Sequence, residues 1–369
     1  MKWIEEIIRK FVFLLFRIIF RNQQASLPLD STKIKKILIL RYDVLGDMIV
    51  TTPVFNLLKE KLPEVEIHVL GSKRNIGLLA HDKRISKILC YNGTLKSLLK
   101  IRRIGKKEKY DLIFPMVFYK TTNSGLWANW VGGKKAIKVV WANPWRSHFY
   151  KYLFNLQIPS DDKTFLSLSM SDILVKFVSA SFGWQFTKGL SKIKIELAYK
   201  HELYAKKMFE QFNNRKILLI NLSVGHPSRE MLEGTVKLLI SKILANNSEI
   251  IILLNAIPID LYKAKYLCEI FPDSVHILPH SSDILNFCAC INLCDIIISP
   301  DTSLIHMATA FDKPIVGLYK NSEKHCKEWG PQHEKAVIIV PDGEKNVSEI
   351  EYTSIYEAFN TLNKKYSIL

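Results

Sequence analysis

The residues best suited to chemistry fall in two short stretches. One is Ile296-Ile297-Ile298-Ser299-Pro300-Asp301-Thr302-Ser303-Leu304-Ile305-His306, an apolar run ending in hydroxyl, carboxyl and imidazole groups. The pattern predicts a buried strand stopping at Pro300, then a helix capped by Asp301 or Thr302, with Ser303 in its first turn and His306 on the next. Free N–H groups, two hydroxyls and the helix dipole would converge on one point, an anion site suited to a diphosphate. The same residues also read as an ordinary cap with His306 facing the core.

The other stretch is Ile37-Leu38-Ile39-Leu40-Arg41-Tyr42-Asp43-Val44-Leu45-Gly46-Asp47. It reads as a first strand, a tight turn at Gly46 and a first helix, the place where open α/β sheets bind ligands beyond the carboxyl ends of their strands. Asp47 has two readings there: a carboxylate capping free N–H groups, or a base facing the crevice.

These stretches must be positioned by the rest of the chain. The 369 residues, 48% of them hydrophobic, suffice for two α/β domains. Apolar runs at 37–40, 66–70, 85–90, 111–115 and 136–140 predict strands, alternating with helical patterns. A long helix is expected over 161–184. The second half repeats this grammar, with strands at 216–222, 249–254, 274–278, 295–299 and 315–319. The expected architecture is α/β: two Rossmann-like, doubly wound domains facing across a cleft. Residues 1–32 form a basic amphipathic helix and connector, 33–190 a first domain, 191–345 a second, and 346–369 a final helix crossing back to the first domain.

The formal net charge of +17 points to anionic partners. No zinc-finger spacing, RNP-like motif or homeodomain pattern is present, so lipid headgroups and phosphorylated sugars come ahead of nucleic acid. Cys288, Cys290 and Cys294 cluster without further metal ligands nearby and read as buried, reduced thiols. Residues 1–21 carry apolar side chains at helical spacing, interrupted by Arg9, Lys10, Arg17 and Arg21. Their uncharged core is too short to span a bilayer, which leaves a helix in the interface of an anionic membrane or one packed on its own domain. Between 127 and 154 aromatic residues concentrate, either lining an acceptor pocket or filling a core.

The run from Asp301 to His306, followed by Ala308, Ala310 and Lys313-Pro314-Ile315-Val316-Gly317-Leu318-Tyr319, closely resembles the donor-site motif of glycosyltransferase family 9, the bacterial heptosyltransferases. Arg41, Leu45-Gly46-Asp47 and Thr52-Pro53 resemble that family's opening motif, and Asn221-Leu222-Ser223, Arg229 and Trp329-Gly330-Pro331 agree with it. The likeness covers roughly residues 33–366 and leaves out the N-terminal helix.

The resemblance implies the GT-B fold and inverting, metal-independent transfer, typically of heptose from ADP-heptose, onto the phosphorylated lipid A-core of lipopolysaccharide, with no cofactor. It implies a cytoplasmic enzyme, peripheral on the inner face of the bacterial inner membrane. Asp47 would be the general base. Thr302, Ser303 and their amides would hold the donor diphosphate, with Ser223 beside them, and Arg229 would neutralise the leaving charge. Asp301 and His306 would shape the donor site. Ser303 stands where many members carry glycine, and Glu230-Met231 where many carry tryptophan and proline. Those departures leave open another nucleotide sugar, an ADP- or UDP-hexose, and a non-catalytic nucleotide- or lipid-binding member.

Overall fold

The computed structural model describes residues 11–12, 14–20, 22–142, 147–159, 167–343 and 345–368. The chain divides into two compact units, Met1–Lys192 and Ile193–Leu369.

The first unit is built on a six-stranded parallel sheet: β1 (Lys36–Leu40), β2 (Glu66–Ser72), β3 (Lys87–Tyr91), β4 (Leu112–Pro115), β5 (Ile137–Trp141) and β6 (Leu156–Ile158), ordered β3-β2-β1-β4-β5-β6. β1 is apolar without alternation because helices cover both faces of a parallel sheet, and Ile37 to Leu40 are all fully buried. The register pairs Leu40 with Leu70 on one side and with Pro115 on the other. Strand order therefore reverses between β1 and β4, opening a crevice at their carboxyl ends.

Helix α1 (Leu45–Lys61) follows β1 directly. Pro53 lies within it and cannot donate to the Ile49 carbonyl. The Thr52 hydroxyl donates to that carbonyl instead, at 2.8 Å, so the helix continues past the proline. Helices α2 (Leu95–Glu108) and α3 (Thr121–Gly132) pack against each other. Helix α4 (Met170–Phe182) packs on α1. Its start at Met170 is later than the helix expected over 161–184, of which 161–166 lie outside the described residues.

The second unit repeats the plan with β7 (Ile217–Asn221), β8 (Ile251–Asn255), β9 (Val275–Ile277), β10 (Ile296–Pro300), β11 (Ile315–Leu318) and β12 (Ala336–Ile339), ordered β12-β11-β10-β7-β8-β9. Its switch point lies between β7 and β10. Helices α5 (Glu233–Asn246), α6 (Ser303–Ala310) and α7 (Glu323–Trp329) belong to this unit. So does the final helix, α8 (Tyr352–Tyr366), contrary to the expected crossing back: it packs on α5, β11 and β12, with Ile355, Phe359 and Leu362 buried in the second unit's core. Its apolar stripe meets the nearest uncovered sheet face, so no crossing is needed to bury it.

Candidate active site

In the first unit the site grows from the end of β1. Arg41 is the first residue beyond that strand and is 2% exposed. A buried guanidinium must find acceptors, and it finds several: Nε donates to the Asp47 carbonyl at 2.9 Å, Nη2 lies 2.6 Å from Asp47 Oδ1, and Nη1 lies 3.3 Å from Asp43 Oδ2. Nη1 also donates to the Met116 carbonyl just past β4, so the side chain bridges the crevice where strand order reverses. Asn75 fixes the loop from behind, its amide donating to the Arg41 carbonyl at 2.8 Å.

Asp47 sits in the first turn of α1 and is almost buried. It faces a cavity of about 1220 Å³ in the first unit. Tyr42, Tyr91, Trp127 and Trp130 supply aromatic wall to this cavity, and Lys73, Arg74 and Lys120 supply positive charge. The aromatic concentration therefore divides: Trp127 and Trp130 reach the cavity, whereas Tyr150 and Phe154 pack in a core. Aromatic faces beside cationic side chains give this cavity both stacking surface and anion contacts.

Asp43 lines the same cavity and was not singled out from the sequence. Its Oδ1 is buried without a hydrogen-bond partner, and burial pushes its carboxyl up to about 6 against the opposing pull of Arg41. Its place four residues before Asp47, in Arg-Tyr-Asp, was the available signal.

In the second unit four of the predicted residues, Arg229, Asp301, Thr302 and Ser303, lie together at the switch point. Thr302 is the N-cap of α6, its side chain accepting from the Leu304 amide. Asn221, at the end of β7, donates to Ser299 Oγ at 3.0 Å and to Thr302 Oγ1 at 3.1 Å, and Asn255 donates to Asn221 Oδ1 at 2.7 Å. This chain of amides and hydroxyls ties β8, β7 and β10 together and fixes the cap. Ser303 is half-buried in the first turn behind it.

Asp301 organises two nitrogen-bearing side chains, Arg229 and His325. Arg229 Nη1 donates to its carbonyl at 2.7 Å, and Nη2 lies 3.2 Å from its Oδ2. His325 Nε2 lies 2.7 Å from that same Oδ2. Arg229 and His325 are each about a third exposed, so both keep donor capacity for a ligand at the α6 N-terminus. His325 was not foreseen. It lies in the first turn of α7, where Ser322 caps the helix just past β11, repeating the strand–cap–helix pattern of Pro300 to Ser303.

Two predicted donor residues lie off this cluster. The Ser223 hydroxyl donates to Asp260 Oδ2 at 2.9 Å and accepts from the Ile257 amide at 2.7 Å, which commits it to the loop after β8. His306 is buried one turn up α6, its ring 6.1 Å from that of Trp329. Burial brings its imidazole down to about 4, more than Asp301 can offset, so it is neutral at physiological pH.

Among the described residues one set of potential metal ligands converges: Glu66, His68 and Glu108, with ligand atoms within 4.8 Å of one another. It lies at the amino end of β2, opposite the crevice. Lys36 bridges Glu66 and Glu108, and Lys87 pairs with Glu108, whose carboxyl these lysines bring down to about 2. The cluster thus carries its own counter-charges.

The model of the family described as "Glycosyltransferase family 9 (heptosyltransferase)" matches residues 169–359, just over half of the chain and including the whole Asp301 cluster. The chain belongs to glycosyltransferase family 9. Solved structures agree on the fold. A family 9 glycosyl transferase from Veillonella parvula superposes with a TM-score of 0.76 at 15% identity, covering 90% of this chain and 97% of that one. The E. coli ADP-heptose lps heptosyltransferase II gives 0.69 at 17% identity, covering 90% and 99%. The E. coli heptosyltransferase WaaC, solved with ADP, gives 0.68 at 14% identity, covering 89% and 99%. The two doubly wound units of this family 9 chain are those of the GT-B fold.

Proposed function

We propose that this family 9 glycosyltransferase moves heptose from ADP-heptose onto the phosphorylated core of lipopolysaccharide, with inversion, without a metal, at the cytoplasmic face of the inner membrane. The observation that carries the reading is the convergence of Arg229, His325 and the capped α6 N-terminus around Asp301, in the part of the chain matched by the family model. The Arg229 guanidinium and the His325 ring beside the helix amides can hold a diphosphate, with Arg229 taking up its charge as it leaves. Thr302 and Ser303 contribute the cap and first turn of that anion site, and His306 supports it from within the helix. Ser223 holds the neighbouring loop. The names of two solved neighbours, which mention ADP and ADP-heptose, favour the adenine nucleotide.

The first unit supplies the acceptor side: residues 33–190 as acceptor domain and 191–345 as donor domain. Asp47 takes the proton from the acceptor hydroxyl as its oxygen bonds the anomeric carbon. The bond from that carbon to the diphosphate breaks, and ADP departs with its electron pair. Arg41 holds Asp47 Oδ1 and leaves Oδ2 for the incoming hydroxyl. A nearly buried, oriented carboxylate meets the geometric demand on a general base.

Calorimetry with ADP-heptose and a panel of ADP- and UDP-hexoses, followed by NMR of the product's anomeric configuration, tests the reading. Binding and turnover selective for ADP-heptose with inverted configuration are expected. Preference for a UDP-hexose, or tight donor binding with no turnover, would overturn it.

A further inference from the structure

We propose that the first unit seats on an anionic bilayer through the helical segment at residues 14–20, which places the mouth of its cavity at headgroup level. The segment has two different apolar faces. Phe16 and Phe20 point inward, packing on the core formed by Val140, Tyr150, Leu153 and Phe154. Leu14, Leu15, Ile18 and Ile19 lie on the other side, 49%, 40%, 59% and 58% exposed. At 100° per residue these four fall in one stripe, the arrangement of a helix lying in a membrane interface.

The segment is fixed to the unit. Just after it, Asn22 donates to Asn129 Oδ1 at 2.9 Å and accepts from the buried ammonium of Lys138 at 2.9 Å, and the Ala25 amide bonds the Asn155 carbonyl at 2.8 Å. A helix so anchored carries its exposed stripe as a rigid part of the surface.

Charge identifies the occupant. Residues 1–192 hold 33 Lys and Arg against 14 Asp and Glu, whereas residues 193–369 hold 19 against 21. The whole positive excess of the protein thus belongs to the unit bearing the stripe. Arg17 is exposed on the helix itself, and exposed Lys73, Arg74 and Lys120 line the cavity that Phe20 also lines. An apolar stripe bordered by cations matches acyl chains beneath anionic headgroups; a nucleic acid would leave Leu14, Ile18 and Ile19 without apolar cover. Phe20 is shared by the docking helix and the cavity, so a lipid-linked saccharide reaches Asp47 from the membrane plane. This last step rests on the acceptor reading above; the docking itself does not.

Co-sedimentation of the full chain with vesicles tests it, comparing equimolar phosphatidylglycerol and phosphatidylcholine with phosphatidylcholine alone. The protein is expected to sediment with the anionic vesicles and less so as salt is raised. A Leu14→Glu/Ile19→Glu variant, altered only at exposed positions, should lose about tenfold or more of its vesicle partition with an unchanged melting temperature. Failure of the wild type to bind anionic vesicles would overturn the proposal, as would wild-type binding by the variant. A variant that changes only the oligomeric state would overturn it too, in favour of a protein partner. Because vesicle binding needs no donor or acceptor, a failed transfer assay leaves it standing.

Discussion

Arg41 holds Asp47 by two routes at once: Nη2 lies 2.6 Å from the carboxylate and Nε donates to the main-chain carbonyl at 2.9 Å. The side chain and the first turn of α1 are thereby fixed as one piece. Replacing Asp47 by Asn keeps the shape but removes the proton acceptor. Transfer should fall by about 10²- to 10⁴-fold, with donor affinity by calorimetry unchanged. Arg41→Met acts differently. It strands two nearly buried carboxylates, and chemical denaturation should show a loss of about 3–5 kcal/mol.

Asp43 gives the same cavity a pH dependence. Its carboxyl is raised to about 6 by burial, so between pH 4 and 6 the folded chain holds a proton that the unfolded chain has released. That contribution to stability is complete below about pH 4 and is lost as pH rises through 6. Asp43→Asn removes the cost of the buried charge. The variant should melt above the wild type at pH 7.5, by a stability gain on the order of 2 kcal/mol, with the gap closing toward pH 4. Equal melting temperatures at pH 7.5 would show that Arg41 fully offsets the burial.

The parts legible in the sequence are those that obey local rules. Apolar runs marked the strands flanking both switch points because parallel strands are buried on both faces, and polar residues before a helical pattern marked a cap at Asp301 or Thr302, which the structure gives to Thr302. Helix α3 escaped notice because Thr, Asn and Gly are poor helix formers. Packing explains them: a Cβ at Gly125 would come within 2.7 Å of Phe154. Edge strands β6 and β12 also escaped notice: the polar Gln157 interrupts the three residues of β6, and β12, paired on one side only, is mostly half-buried. Asp43 and His325 stayed hidden because what matters about them, a buried unpartnered oxygen and a 2.7 Å contact across 24 residues, is tertiary. Asp301 was foreseen, but not that its carboxylate would be shared by Arg229 and His325.

That role for Asp301 separates three variants. Asp301→Asn removes the carboxylate charge facing Arg229 and His325, while the Arg229 bond to the main-chain carbonyl and the Thr302 cap stay in place. Donor affinity should fall about 10-fold or more, because hydrogen bonds to charged groups contribute roughly 1.5–3 kcal/mol each. His325→Ala should cost less than Asp301→Asn, since Arg229 keeps both of its contacts with Asp301. Combining His325→Ala with Arg229→Met should weaken ADP binding more than either alone, measured by titration calorimetry. An Asp301→Asn variant that binds ADP like the wild type would remove the acid from the donor site.

The last prediction concerns the cavity wall. Helices α2 and α3 approach so closely at Gly105 that a Cβ there would lie 2.2 Å from the Val131 carbonyl oxygen, a backbone atom that cannot swing aside. Gly105→Ala must therefore push the helices apart. Overpacking of this kind costs about 1–3 kcal/mol, against less than 1 kcal/mol gained from the better helix propensity of alanine. The displacement would also be felt at the site, because Leu98 on α2 and Trp127 and Trp130 on α3 all line the cavity, and the Trp130 indole donates to the Leu98 carbonyl at 3.2 Å. Gly105→Ala should thus lower the melting temperature and raise the KM for the acceptor, while the KM for the donor, held by the second unit, stays near its wild-type value. A variant with lower stability but unchanged acceptor KM would mean that the aromatic wall keeps its shape when the helices part, and that the saccharide does not rest on it.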